Sequence, residues 1–194
     1  KRLAEWADHD VDEVWADYFN RLTNAAASGL FQIIGHPDLP KKFGHRPTRN
    51  CTGLYVNFLA ACESGGTCIE LNTAGLRKDC AEMYPSLEFL KLARSTNVQI
   101  TFGSDAHAPH EVGMNLEDAV SLAREAGYPR PKVNAVIIRG VNDDELVDFA
   151  QLARTEDLDV RFIEFMPLDS GRAWNRDHVI DARQMLAAIE EHFP

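Results

Sequence analysis

No stretch of this chain stays apolar for the roughly 18 residues that a membrane-spanning helix needs, and residues 1 to 6 lead into no apolar signal core. The expectation is therefore a soluble, cytoplasmic protein without a membrane partner. Basic residues are also sparse, 20 against 30 acidic ones, and the net charge of −10 excludes the clustered basic face of a nucleic-acid binder. Cysteine is rarer still. Cys51, Cys62, Cys68 and Cys80 are spaced irregularly, without the tight triplet whose thiolates converge on an iron-sulfur cluster, so they read as buried free thiols. Repeats, low-complexity tracts and flexible linkers are absent, and the one candidate breakpoint is Pro129-Arg130-Pro131.

What is present is a regular alternation. Val11, Val14, Trp15, Tyr18, Leu22 and Ala25 follow helical spacing behind an Asp10/Glu13 capping box, with Gly29 as the stop. Short apolar runs at Leu30 to Ile34, Thr67 to Leu71, Val98 to Phe102, Val133 to Ile138 and Val160 to Phe165 read as buried strands, each opening into a polar or Gly-containing turn. Between them lie helical faces such as Leu54, Phe58 and Ala61, or Leu146, Phe149 and Ala150. Asn142 with Glu145 and Asp181 with Gln184 mark helix starts. The predicted class is α/β, a partial TIM-like (βα) barrel with about five parallel strands alternating with helices. The 194 residues fall short of the ~250 of a full eight-unit barrel.

In such folds, chemistry sits at the carboxyl ends of the strands, and His36, Asp105 and His107 all fall there. Imidazole and carboxylate groups converging from different strand ends are what a hydrolytic metal centre requires. Arg77 and Lys78 follow the second strand and read either as phosphate-binding cations or as solvated ones. Lys41, Lys42, His45 and Arg46 form a second basic loop, with simple solvation the preferred reading. Glu70 reads as a group behind the site or as half of a buried ion pair. His9, His110, His178 and His192 have no partner at ligand spacing and read as surface residues.

The segments Phe31 to Gly44, Glu70 to Lys78 and Gly103-Ser104-Asp105-Ala106-His107 together resemble the polymerase-and-histidinol-phosphatase (PHP) superfamily, nearest to histidinol-phosphatase, over about residues 1–128. The resemblance implies a metal-dependent phosphomonoester hydrolase of histidine biosynthesis acting on histidinol phosphate. It implies His36, Asp105 and His107 as ligands of a divalent zinc, manganese or iron ion. The superfamily's remaining ligands would precede Lys1, so the expectation is one metal rather than three and an impaired enzyme. Gln32 stands where the superfamily often has aspartate.

From Pro129 the vocabulary changes. Lys132 opens one strand and Arg161 lies in the next, so they read either as two cations that adjacent parallel strands bring toward one anionic ligand or, as is usual for cations at strand starts, as solvated residues. The stretches Lys132 to Glu145 and Val160 to Leu168 resemble the molybdenum cofactor biosynthesis protein A family, the radical S-adenosylmethionine GTP 3′,8-cyclases. By that resemblance Lys132 and Arg161 contact GTP phosphate or cosubstrate, and Met166 packs near S-adenosylmethionine; as a plain sequence feature, Met166 is equally a core residue. The cysteine loops for that family's [4Fe-4S] clusters are missing. A join near Ala126-Gly127-Tyr128 preserves the strand-helix rhythm, giving either two fragments or one continuous chimeric barrel. A catalysis-free chimeric fragment, pairing with copies of itself through open sheet edges, is the third expectation.

Overall fold

The computed structural model describes residues 9–167 and 174–193, which divide into two compact units between Tyr128 and Pro129. Residues 1–6, where no signal core is expected, lie outside the described residues, as does Leu168 at the end of the cyclase-like stretch. Among the described residues no helix is long and apolar enough to cross a membrane.

In the first unit, helix α1 (Val11–Ala27) starts at Asp10, whose carboxylate accepts the Asp12 N–H at 2.8 Å in place of a reciprocal box with Glu13. Its apolar stripe buries Trp15 and Phe19 against α2 (Thr52–Gly65) and α3 (Leu87–Ser95). Phe19 is the hub of this core: its ring meets Trp15, Tyr55, Phe58 and Phe89 at centroid distances of 5.9, 4.9, 6.0 and 6.0 Å. Such pairs add about 0.5–1.5 kcal/mol each beyond area burial. Strands β1 (Ile33–Ile34), β2 (Cys68–Asn72) and β3 (Ile100–Gly103) form a parallel sheet in that order. The first strand is shorter than expected because Leu30 and Phe31 are exposed instead of paired.

Helix α4 (Leu116–Glu125) closes the unit, burying Ala119 and Ala123 in a second cluster with Leu71, Leu90 and Tyr128. The turn that follows is fastened from within: Tyr128 Oη donates to the Val98 carbonyl at 3.0 Å, and Arg94 Nε donates to Gly127 at 2.8 Å.

The second unit holds β4 (Lys132–Ile137) and β5 (Asp159–Glu164), parallel and in register from Lys132↔Asp159 to Ile137↔Glu164. Helix α5 (Leu146–Thr155) makes the crossover. The last helix, α6 (Ala182–His192), begins in the expected Asp181/Gln184 capping box. Asn142 is instead followed by a 3₁₀ turn at Asp143–Glu145 and makes no side-chain cap bond to it. Ala135 and Ile137 pack with Leu146, Ile180 and Met185, while the alternate residues of β4 are exposed. The α/β class and the parallel strands are as expected. The strands form one three-stranded and one two-stranded sheet, and neither closes on itself among the described residues.

The loop leaving β1 departs from its sequence reading. Lys41 is 1% exposed, not solvated, and its ammonium meets Asp38 Oδ2 at 2.7 Å, the Met83 carbonyl at 2.7 Å and Glu82 Oε2 at 3.0 Å. Three donors thus meet three acceptors. Glu82 also pairs with Arg46 at 2.9 Å. Burial pushes the Asp38 carboxyl up against the opposing charge of Lys41 and the Ser86 N–H. Glu82 is also partly buried, but Lys41 and Arg46 hold its carboxyl below the usual range.

Removing the cation strands Asp38, which is 2% exposed. Lys41→Met is expected to cost about 3–5 kcal/mol at neutral pH, read as a lower urea midpoint. A carboxyl raised by folding destabilises the folded state above its folded pKa and ceases to do so once protonated. The deficit relative to wild type should therefore shrink as pH falls toward ~4.

Candidate functional site

Because β1, β2 and β3 are parallel, their carboxyl ends share one rim, and the turns leaving it carry His36, residues 73–78 and residues 104–111. Two expected ligands stand in strained backbone there: His36 has φ 31° and Asp105 φ 46°, left-handed values that non-glycine residues adopt at a cost of order 1–3 kcal/mol. Neither value is visible in the sequence. Such strain persists only where neighbouring groups enforce it, and here the enforcing groups are identifiable.

Glu70 holds His36. Its carboxylate accepts the His36 N–H at 3.2 Å and Asn72 Nδ2 at 2.9 Å, so it stands behind the site, the first of the two roles open for it. It occupies a cradle between Gly35 and Gly103, where a Cβ on Gly103 would overlap Glu70 Oε1. Tyr18 Oη donates to the His36 carbonyl at 3.4 Å. The His36 Nδ1 atom is buried with no hydrogen-bond partner among the described residues.

Arg77 and Glu111 hold the other turn. Arg77 Nη2 donates to the Ser104 carbonyl at 2.7 Å and to Asp105 O at 3.5 Å, and its Nε lies 3.6 Å from Glu111 Oε1. Glu111 Oε2 accepts the His107 N–H at 2.7 Å; that bond, followed by the charge of Arg77, keeps its carboxyl below the usual range. Arg77 is thus engaged in holding this turn instead of being simply solvated, and its Nη1 is buried and unpartnered among the described residues. Lys78 is exposed and outside this network.

The donor chemistry suits a divalent cation. His107 Nδ1 lies 2.8 Å from the Asp105 carbonyl, and a carbonyl only accepts. In the neutral ring Nδ1 therefore carries the proton and Nε2 keeps its lone pair, the tautomer of a metal-ligating histidine. The spacing does not suit one: among the described residues no group of three or more His, Cys, Asp or Glu side chains is arranged to hold a metal. His36, Asp105 and His107 share a rim without forming a closed set.

In the second unit, Lys132 lies across from Asp159 and Arg161 across from Asn134, which puts both cations on the same open face of the β4–β5 ribbon, one step apart along the strands. Both are exposed. Met166, just past β5, is 50% exposed, so it is not a core residue.

The Glu70 cradle makes a direct expectation. Gly103→Ala should expel the Glu70 carboxylate and release the His36 N–H, costing about 1–3 kcal/mol in urea unfolding. The same variant should shift the His36 amide resonance; an unmoved resonance would show that Glu70 does not anchor it.

No family model matches this chain. It is 40% identical over 125 residues to the protein named "Probable histidinol-phosphatase" of Deinococcus radiodurans, covering 64% of this chain and 47% of that one. It is 44% identical over 78 residues to the GTP 3′,8-cyclase of Syntrophomonas wolfei, covering 40% of this chain and 24% of that protein. It is also 44% identical over 77 residues to human molybdenum cofactor biosynthesis protein 1, covering 40% of this chain and 12% of that protein. The chain thus spans less than half the length of each of these relatives. The phosphatase-like and cyclase-like shares together exceed this chain's length, so the two matches overlap. The chain therefore joins, in series, a segment similar to histidinol-phosphatases and a segment similar to the GTP 3′,8-cyclases of molybdenum cofactor biosynthesis.

Proposed function

We propose that residues 1–128 are a PHP-type barrel fragment with the residual binding chemistry of a histidinol-phosphatase, and that residues 129–194 are a cyclase-like barrel fragment joined to it. The substrate class is a small phosphomonoester, histidinol phosphate in the first instance. His36, Asp105 and His107 would hold a divalent zinc, manganese or iron ion, which supplies Lewis acidity toward a phosphoryl oxygen. The single observation that carries this reading is the Asp105–His107 turn, whose imidazole is already in the ligand tautomer beside a strained carboxylate-bearing residue. Arg77 contributes chiefly by holding that turn, with Nη1 left for an anion. Because the three donors do not close on one point, hydrolysis is expected to be weak.

A second reading rests on the ribbon face of the other unit, where Lys132 and Arg161 are exposed together. That face suits a polyanion such as GTP. S-adenosylmethionine and [4Fe-4S] chemistry would accompany it in the cyclases, with Met166 near the adenine. The cysteines here do not fit a cluster: all four are free, all lie in the first unit, and burial holds the Cys62 thiol up at about 12. No radical step is assigned to this chain. A cytoplasmic setting, no nucleic-acid partner and self-association through the open edges of the two sheets complete the proposal.

Calorimetric titration with Zn²⁺ or Mn²⁺ should give one weak site, abolished by His107→Ala and by Asp105→Ala, with slow phosphate release from histidinol phosphate above the metal-free blank. A chain that takes up no metal at millimolar concentration and releases no phosphate would end the phosphatase reading.

A further inference from the structure

We infer that strand β1 is the edge through which two copies of this chain pair, antiparallel about a two-fold axis at Ile33. Self-association through open sheet edges is part of the proposed function; the inference rests on that reading and assigns it to one strand and one arrangement. The outer strands differ in what guards them. Strand β3 is half-buried along its whole length. Exposed Lys132 opens β4, and β5 carries exposed Asp159, Arg161 and Glu164, the charges that keep an edge from pairing. Strand β1 has no such guard. From Leu22 to Gly35 there is no charged side chain, although 26% of the chain is charged, and Leu30, Phe31 and Ile33 are 74%, 49% and 50% exposed.

The backbone offers the matching groups. Ile33 stands opposite Cys68 in the parallel register, and Gln32 O accepts the Cys68 N–H at 2.9 Å. Alternation along the strand therefore turns the N–H and C=O of Ile33 itself away from β2, to a side where no strand lies among the described residues. A residue presenting both a donor and an acceptor is complementary to its own reversed copy, because directly opposed residues of an antiparallel pair exchange both bonds. Charge also favours a second copy. A basic partner would suit a chain of net charge −10, but this segment has no carboxylate to receive one, whereas two copies meet here without like charges opposed. The two-fold uses up both β1 edges, so the pairing closes at a dimer. Left-handed Gly29, at φ 68°, and Pro37 bound the ribbon at its two ends. A ribbon this short falls below the ~800 Å² per partner of a lasting dimer, so the association is weak and depends on concentration.

Sedimentation of the full chain over about a 100-fold range of concentration should show monomers passing to dimers and no further. Hydrogen exchange at the Ile33 amide should slow over the same range, since that N–H enters the new ladder. Ile33→Lys sets two ammonium groups against each other at the axis and should weaken dimerisation about 10-fold or more. Its urea midpoint should stay that of wild type, because the side chain is half exposed. If that variant does not fold, Phe31→Lys carries the same test. Dimers that persist in these variants, or an Ile33 amide whose exchange ignores concentration while dimers form, would overturn the inference and leave self-association to another edge. A chain monomeric throughout would end both. None of these readouts involves a metal or phosphate release, so the phosphatase reading stands or falls separately.

Discussion

The buried ammonium of Lys41 is the constraint on which the first unit depends most. A charge this deep is tolerated only when every proton it carries has an acceptor, and here the acceptors come from two separate loops, Asp38 from the turn after β1 and Glu82 with the Met83 carbonyl from the segment before α3. The pairing fixes the path of the chain immediately after His36. The Ser86 N–H bonds to the same Asp38 carboxylate, and the Ser86 side chain caps α3. One ion cluster thus joins the start of a helix to the rim where the candidate ligands stand.

Much of the architecture was legible because it rests on local periodicity. The five apolar runs became five parallel-paired strands, and the Asp181/Gln184 signature became a reciprocal cap. What stayed hidden depended on distant partners. Lys41 belongs to a Lys-Lys-Phe-Gly-His-Arg stretch that looks solvated, and only Glu82, far along the chain, reveals that it is not. The strained angles of His36 and Asp105 leave no trace in residue type. The role of Glu111 would require knowing that Arg77 reaches across to the neighbouring turn. Of the expected partial barrel the parallel pairing is seen, in one three-stranded and one two-stranded sheet, because spacing along the chain reports that strands alternate with helices and not which strands become neighbours.

The two likenesses make sense of the chain's uneven chemistry. Phosphatase-like donors and all four cysteines lie ahead of Pro129, and the exposed ribbon cations lie beyond it. The division between the two compact units falls just after α4 and its Gly127-Tyr128 turn. Tyr128 and Arg94 tie the turn into the first unit's own core, so the first unit ends on a fastened residue.

Strand β4 carries one more implication. Its odd-numbered residues lie against α5 and α6 while its even-numbered ones face outward, and β5 offers a single neighbour to hold that phase. The ribbon is thus read in steps of two. Deleting one residue between Lys132 and Ala135 would put them on the same surface, so that either Ala135 and Ile137 turn toward water or Lys132 is carried to the helix side, whereas losing two would keep every remaining side chain on its own surface. Parity, more than length, governs which indels this half of the molecule can absorb.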